Sequence, residues 1–570
     1  MEEIIIVLSK ADIQPAVQVY EKLEKGVVWV FDPNLLDSVF MAGLANSKFI
    51  DRNLDLHIDA HVKRAQNEAE AFEHKLDAAI VKNFPAIVGM HWQFLNFVQQ
   101  LFLLNSFTTL WNNLLESHFD TKFHIFIQDV PARFSAPSFW PALLLLERLN
   151  ANNIPFEAYA YNHLSNFTQL IPVGGEFLNS TTPAEAFVHL PTCFYDARYF
   201  ESEINTRYNR VLNFASMDNA PLVWNIPFPS FPTAELLPVN EVILGLPTEQ
   251  QHCIAETTEA LKIILVQIYL GYARTESYVI RQAEYTTNQY KAQIVFYLLL
   301  NKHHAAIAPQ KLIISNHDAG FHGPLVSYAS LHAIPIVILP HSKVFNFPLS
   351  IPISNAIALT HPLQEARIED VNGHDFTTHL VSYPERRTIE SKPKHILKTI
   401  GLILNDISAG GNVWINTKEY LLGLKKIISW CSENNVVVKV RVRPGGASLS
   451  WLLKELNIPP AELISHASGA IADFGLQCDI CVMYDCPTSG MIDLLRNAIP
   501  VTNAVYRPLS QWELGISNVK IIPTESVEQL LRRLTEYRNS EDQLFLFRTQ
   551  QFSQYTSAFD KSLPLRMLLH

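Results

Sequence analysis

The feature that most constrains this chain is a series of short, largely apolar runs separated by helical stretches. Glu3–Leu8 (EIIIVL), Val27–Phe31 (VVWVF), His124–Gln128 (HIFIQ), Lys311–Ser315 (KLIIS), Ile334–Leu339 (IPIVIL), Thr399–Leu404 (TIGLIL), Val436–Val442 (VVVKVRV) and Asp479–Tyr484 (DICVMY) are of this kind. A strand with one wet face alternates apolar and polar residues. A strand covered on both faces does not, and such strands belong to parallel sheets layered with helices. Between the runs, Pro15–Leu23, Glu68–Leu115, Pro141–Asn150, Leu325–His332, Lys418–Asn434, Gly490–Arg496 and Val527–Tyr537 carry helical spacing. The alternation predicts an α/β protein built from doubly wound parallel sheets.

At 570 residues the chain is too long for one core. The rhythm fills residues 1–365, with a proline-rich stretch at about 163–255 that reads as an irregular insertion. A polar segment, 366–397, reads as a linker. The rhythm restarts at TIGLIL and fills 398–540, where Pro500–Thr502 is a short strand. A last helix in 541–570 is expected to pack back on the first domain.

Composition removes several classes of function. Hydrophobic residues make up 48% of the chain and charged residues 17%, so core material is ample. The net charge of −11 is spread along the chain, which argues against a nucleic-acid partner, whose phosphates call for a basic stripe. No apolar run approaches the ~18 residues of a membrane span. Phe94–Leu115 is broken by Asn96, Gln99, Gln100, Asn105, Asn112 and Asn113 and reads as amphipathic helix, packed on a core or lying at a membrane face. The N-terminus MEEIIIVLSK reads directly as a strand, without the pattern of a secretion signal, and six cysteines in 570 residues are few. A cytoplasmic protein with free thiols is expected, with peripheral contact at the inner face of a membrane compatible with the sequence. Cys478, Cys481 and Cys486 lie close together but lack a second paired set at zinc-ligand spacing, so they read as buried thiols.

Ligands of open parallel sheets sit beyond the carboxyl ends of the strands, so the loops after the strands hold the candidate residues. After TIGLIL come Ser408, Gly410, Gly411 and Asn412, a turn whose backbone N–H groups suit either a plain bend or a phosphate. After VVVKVRV come Arg443, Pro444 and Gly445, with Arg441 on the same strand face as Arg443; a guanidinium there serves a surface ion pair or a phosphate. After DICVMY, Thr488, Ser489 and Gly490 open a helix, as caps or as phosphate ligands. In the first half, Asp129 follows HIFIQ, His317 and Asp318 follow KLIIS, and His341 follows IPIVIL. Each is a turn residue or, at a cleft edge, a general base for a hydroxyl nucleophile.

The order of these pieces resembles GT-B fold glycosyltransferases. The stretch ISNHDAGFHGPLVSYASLHAIPIVILPHSKVFNFPLSIPISNAIALT is similar to the end of their first domain. Arg443-Pro444-Gly445 stands where capsule Kdo transferases, polysialyltransferases and teichoic-acid glycerophosphotransferases often carry an Arg-Pro-His-Pro-like loop. Thr488-Ser489-Gly490, followed by MIDLLRNAIPVTN, looks like their donor-phosphate segment. The chain departs from the family at Gly445 for His, Ser342 for Gly and Asp493 for Glu. The resemblance implies two Rossmann-like domains facing across a cleft and a metal-independent transfer without a cofactor. The substrates it implies are a CMP- or UDP-linked sugar donor and a glycan, lipid-linked or protein acceptor, in bacterial surface polysaccharide or glycoconjugate synthesis. In that scheme Asp318, then Asp129, His341 or His317, would be the base. A nucleotide-sugar epimerase of the same fold and a catalytically degenerate glycan-binding partner subunit are the alternatives.

Overall fold

The computed structural model describes residues 2–23, 26–32, 35–50, 58–87, 92–116, 118, 120–131, 138–161, 170–172, 182–189, 197–214, 236–314, 321–339, 356–359, 377–382, 395–404, 417–442, 455–457, 463–464, 471–485, 490–507, 521–558 and 562–569. Three parallel sheets carry the fold.

The first sheet consists of β1 (Glu2–Val7), β2 (Gly26–Val30), β3 (Ser47–Phe49), β4 (Thr121–Gln128) and β5 (Phe156–Tyr161), in the order β3-β2-β1-β4-β5. Its apolar runs are explained by two cores. Ile5, Val7, Val28, Val30 and Phe126 pack under α1 (Ile13–Tyr20) and α2 (Leu36–Met41). The alternate residues Ile4, Ile6, Trp29, Phe31, Phe123, Ile125 and Ile127 face a thick helical layer. That layer contains α3 (Ile58–Asn83), α4 (Phe94–Leu115), α5 (Trp140–Ala151) and, after α6 (Ala197–Arg207) and α7 (Val239–Leu244), the hairpin of α8 (Thr248–Leu270) and α9 (Glu276–Lys302).

The second sheet lies on the same core through Phe187, Leu212, Leu312, Ile314, Ile336 and Ile338. It contains β7 (Ala186–His189), β8 (Val211–Asn213), β10 (Lys311–Ile314), β11 (Ile336–Ile338), β12 (Ala356–Leu359), β13 (Thr377–Ser382) and β20 (Leu563–Pro564), ordered β20-β13-β12-β11-β10-β7-β8. An antiparallel pair, β6 (Leu170–Pro172) with β9 (Leu236–Pro238), stands apart. The segment 163–255, read from sequence as an irregular insertion, therefore supplies two strands of this sheet. Three- and four-residue strands are too short to show a period. Likewise β13 falls inside the segment read as a linker, because its polar residues TTHLVS conceal an edge that the chain end covers. The first 382 residues thus contribute to two parallel sheets where the sequence suggests one unit.

The third sheet has the order β16-β15-β14-β17-β18-β19, from β14 (Thr399–Leu404), β15 (Val437–Val442), β16 (Leu463–Ile464), β17 (Ile480–Tyr484), β18 (Val501–Val505) and β19 (Thr524–Ser526). Between the α11 helix (His322–Leu331) of the second unit and this sheet's second strand comes α12 (Thr417–Glu433), which covers one face together with α15 (Val527–Asn539). The other face is covered by α13 (Ile471–Gly475), α14 (Gly490–Arg496) and the last helix, α16 (Glu541–Ala558). The Gln551 amide of α16 fastens that helix to the sheet: its Oε1 accepts from Val501 N at 2.9 Å, and its Nε2 donates to Val501 O at 2.7 Å and Ile521 O at 2.8 Å. The chain then crosses to the second sheet, where β20 pairs with β13, Leu565 and Leu569 are buried, and Tyr208 Oη donates to Leu569 O at 2.8 Å. No described helix is long and apolar enough to cross a membrane.

Candidate functional site

A doubly wound sheet opens a crevice where its strand order reverses. Here the reversals fall between β1 and β4, between β7 and β10, and between β14 and β17.

The first crevice is filled by the protein itself. Asp12 lies at the turn after β1 and is 1% exposed. Its Oδ2 accepts from Leu8 N at 2.9 Å and Ser9 N at 2.7 Å. Its Oδ1 accepts from Tyr161 Oη at 2.5 Å and Gln128 Nε2 at 3.3 Å, groups at the ends of β5 and β4. Burial raises the pKa of this carboxyl, against hydrogen bonds that lower it. The backbone N–H groups that would face a phosphate in a nucleotide-binding turn already hold a carboxylate oxygen. Asp129, a candidate base, follows β4 at the rim and forms an ion pair with Arg281 of α9.

At the second crevice the described strands end at Ile314 and Ile338. His317, Asp318 and His341 lie outside the described residues, as do Ser408, Gly410, Gly411, Asn412, Arg443, Pro444, Gly445, Thr488 and Ser489. Gly490 is described: it is the buried first residue of α14.

The third crevice shows the most pronounced local chemistry. β17 ends in Tyr484, and Asp485 follows with φ of +76°, a left-handed conformation that a residue with a Cβ rarely adopts. Asp485 N still donates to Ala504 O at 2.8 Å, so the strand ladder persists up to the bend. The carboxylate is 1% exposed, and its Oδ1 lies 3.2 Å from Nε of Arg507, beyond the end of β18. Beneath the bend, Tyr484 Oη donates to Tyr420 O at 2.7 Å, and the rings of Tyr420 and Tyr506 lie 4.9 and 5.9 Å from that of Tyr484. Burial raises the pKa of both Tyr484 and Tyr506, keeping the phenols neutral.

Strand register aligns Arg441, Ile403, Met483, Asn503 and Thr524 in one row across this sheet. Arg441, paired with Arg443 in the sequence reading, is 2% exposed, with its guanidinium 5.9 Å from the Phe474 ring. Asn503 is fully buried, and neither its amide nitrogen nor its oxygen has a hydrogen-bond partner. Such a group costs about 1–3 kcal/mol unless something engages it. Cys478 and Cys481 are buried on the same face of the sheet. No cluster of three or more His, Cys, Asp or Glu with metal-ligand placement occurs among the described residues.

Sequence reasoning missed Asp12, Asn503 and Arg507. Asp12 shows locally only as a turn cap, since Gln128 and Tyr161 are 116 and 149 residues away. Arg507 had a usable signal, as a cation just beyond the apolar strand VTNAV.

No family model matches the chain, and none of the curated proteins matches it. Among solved structures it is similar to the glycosyltransferase SnogD from Streptomyces nogalater, at 10% identity over 68% of this chain and 97% of that one, with a TM-score of 0.39. It is also similar to the spinosyn rhamnosyltransferase SpnG complexed with spinosyn aglycone, at 13% identity over 68% of this chain and 100% of that one, TM-score 0.37. A third is the UDP-GlcNAc 2-epimerase of Methanocaldococcus jannaschii in complex with UDP-GlcNAc and UDP, at 10% identity over 62% and 93%, TM-score 0.33. Likenesses of this size assign the chain to no family.

Proposed function

We propose that the chain is a GT-B-type glycosyltransferase that moves a sugar from a nucleotide-activated donor to a glycan or glycoconjugate acceptor. The observation that carries the reading is the third sheet. Its order, β16-β15-β14-β17-β18-β19, is that of nucleotide-binding doubly wound sheets, and a strained acidic residue paired with an arginine stands at its reversal point. The return of the chain end to the second sheet suits the GT-B layout, in which two units are tied across a cleft.

In this reading the donor phosphate lies on Ser408, Gly410, Gly411 and Asn412, on the Arg443-Pro444-Gly445 loop and on Thr488, Ser489 and Gly490. Backbone N–H groups and guanidinium charge offset the negative charge that develops on the leaving phosphate, so transfer needs no bound metal. Asp318 is the preferred base for the acceptor hydroxyl, with His317 beside it and His341 on the following strand's loop. Asp129 is the weaker candidate, because its carboxylate is already engaged in the Arg281 ion pair. CMP- or UDP-sugars and bacterial surface-glycan synthesis are the donor class and role that the sequence resemblance supports.

The test is thermal unfolding with CMP, CDP, UDP and GDP. A nucleotide at 100 times its dissociation constant stabilises the folded state by about 2.7 kcal/mol. Arg443→Ala is expected to diminish that shift while leaving the ligand-free transition in place. If no nucleotide moves the transition, the donor reading fails.

A further inference from the structure

We propose that the stacked imidazoles of His304 and His332 form a pH-sensitive latch between the entries to β10 and β11, closed while the pair carries at most one proton and opened when it takes up a second. The latch lies at the amino ends of these strands, away from the crevices at the carboxyl ends, and does not depend on the donor reading.

Place and contact come first. His304 opens α10 (His304–Ile307), the single turn between α9 and β10. His332 caps the carboxyl end of α11, just before β11 begins at Ile336. β10 and β11 pair in parallel. The two rings lie 3.6 Å apart between centroids, with 10° between their planes. Tyr328, one turn back on α11 and 1% exposed, touches both: its Oη lies 2.7 Å from His304 Nδ1, and its ring lies 4.8 Å from that of His332. On the other side, His332 Nε2 lies 2.8 Å from Asn301 Oδ1 of α9. Asn301 Nδ2 donates to Tyr297 O at 2.8 Å, so Oδ1 is the acceptor and His332 Nε2 carries the hydrogen. In the neutral ring the bare nitrogen is therefore His332 Nδ1.

Charge then sets the behaviour. Burial raises the pKa of the Tyr328 phenol and keeps it protonated. A hydroxyl donates or accepts, so its bond to His304 survives a proton on that Nδ1. A second proton, on His332 Nδ1, sets two imidazolium charges face to face, and sites so close take up protons in separate steps. Burial first, and then the charge of His304, lower the pKa of His332 below the ordinary 6.5. The neighbouring titratable groups do not relieve the repulsion. Lys302 is a cation, and burial and Lys302 lower the pKa of His303 as well. Among the described residues no carboxylate pairs with His304 or His332. Below pH 6.5 the unfolded chain takes up a proton that the folded His332 does not. The latch is therefore fully stable above that pH and weakens as pH falls through the folded value. Once the rings part, the carboxyl end of α11 favours a cation at His332, so α11 itself persists. What loosens is the fixing of β10 against β11, the strands that lead to His317, Asp318 and His341.

The test is titration of the full chain by carbon-13 NMR of its histidine rings, with the His332 signal assigned by its loss in His332→Gln. In wild type, His332 is expected to titrate about one pH unit or more below 6.5. His304→Phe keeps a flat ring in the stack without a charge, and in it the His332 titration should rise by about one unit. His304→Gln keeps an acceptor for Tyr328 and serves in its place if the phenylalanine variant does not fold. Amide exchange reads the strands. Between about pH 7 and 5, corrected for intrinsic rates, Lys311–Ile314 and Ile336–Ile338 should lose about tenfold in protection in wild type, and less than about twofold in His332→Gln. A His332 titration that is the same with and without the His304 charge overturns the coupling. An acid-induced loss of protection that persists in His332→Gln overturns the latch.

Discussion

Glu73 lies in the helical layer between the first two sheets, fully buried on α3. Its Oε1 accepts from Gln93 N at 2.8 Å and its Oε2 from Tyr290 Oη at 2.9 Å, while Asp77 stands one helical turn on. Burial, and then the like charge of Asp77, push its pKa well above the usual carboxylate range, beyond what the two hydrogen bonds restore. The carboxyl is therefore neutral in the folded chain across a window that starts at the ordinary value of 4.5 and extends upward. Because the folded value is raised, stability from this group is complete below 4.5 and declines as pH rises towards the folded pKa. In that window the unfolded chain ionises Glu73 and the folded chain does not, so stability falls by up to about 1.4 kcal/mol per pH unit. Glu73→Gln keeps the shape and an acceptor for Gln93 N, and it cannot ionise. Below pH 4.5 the variant should lie within about 1 kcal/mol of wild type. As pH rises above 4.5 its urea midpoint should lose the wild-type slope attributable to one proton. The assay is urea unfolding followed by tyrosine and tryptophan fluorescence at half-unit pH steps. If the two curves run parallel as pH rises from 4.5, Glu73 ionises in the folded chain as it does in the unfolded one and the reasoning fails.

Two further perturbations test the sheets. Asp12→Asn cannot accept on both sides, so it leaves donors from Leu8, Ser9, Gln128 or Tyr161 unmet at about 1–3 kcal/mol each. It should lower the melting temperature yet leave nucleotide affinity within about twofold, since Asp12 fills the first crevice itself; a large loss of affinity with the fold intact would place the donor there instead. In Gly401→Ala, the new Cβ would meet Cys478 Sγ and Phe474 Cε1 at 2.8 Å on the central strand β14. Forcing that ring away should cost about 1–3 kcal/mol by calorimetry, and an unchanged transition would show that α13 does not approach the strand so closely.

The parallel-sheet class was legible because its cause is local. β1, β4, β14 and β17 are buried on both faces, and each carries that burial as an apolar run of three residues or more. β7, β8 and β13 were not legible for opposite reasons. The first two are three or four residues long, and β13 is polar, its edge covered by β20 some 180 residues later. The strand read as Pro500–Thr502 runs on to Val505, and its concealed half contains Asn503, a polar residue that apolar patterning assigns to a loop. Arg441 was found because an arginine inside an apolar strand stands out, whereas Asp485 needed its backbone angle to distinguish it from an ordinary turn residue.

A chain with three doubly wound sheets has three places where a nucleotide could lodge, and what matters is which of them the protein leaves for a ligand. Asp12 supplies an anion to the first from within, and four donors from three strand ends close around it. At the third, the described groups are of another kind: a buried amide with no partner, and a left-handed aspartate in an ion pair with an arginine. The same sheet is tied to the second by α16, whose Gln551 grips the start of β18 and whose continuation becomes β20. β18 thus has the tie to α16 at Val501 and Arg507 beyond its other end, six residues on. A nucleotide bound at the third crevice would bear on the strand to which α16 is fastened, so its binding should increase amide-exchange protection in Val501–Val505 and in β20 together. Protection confined to the third sheet would mean that the tie does not carry the load.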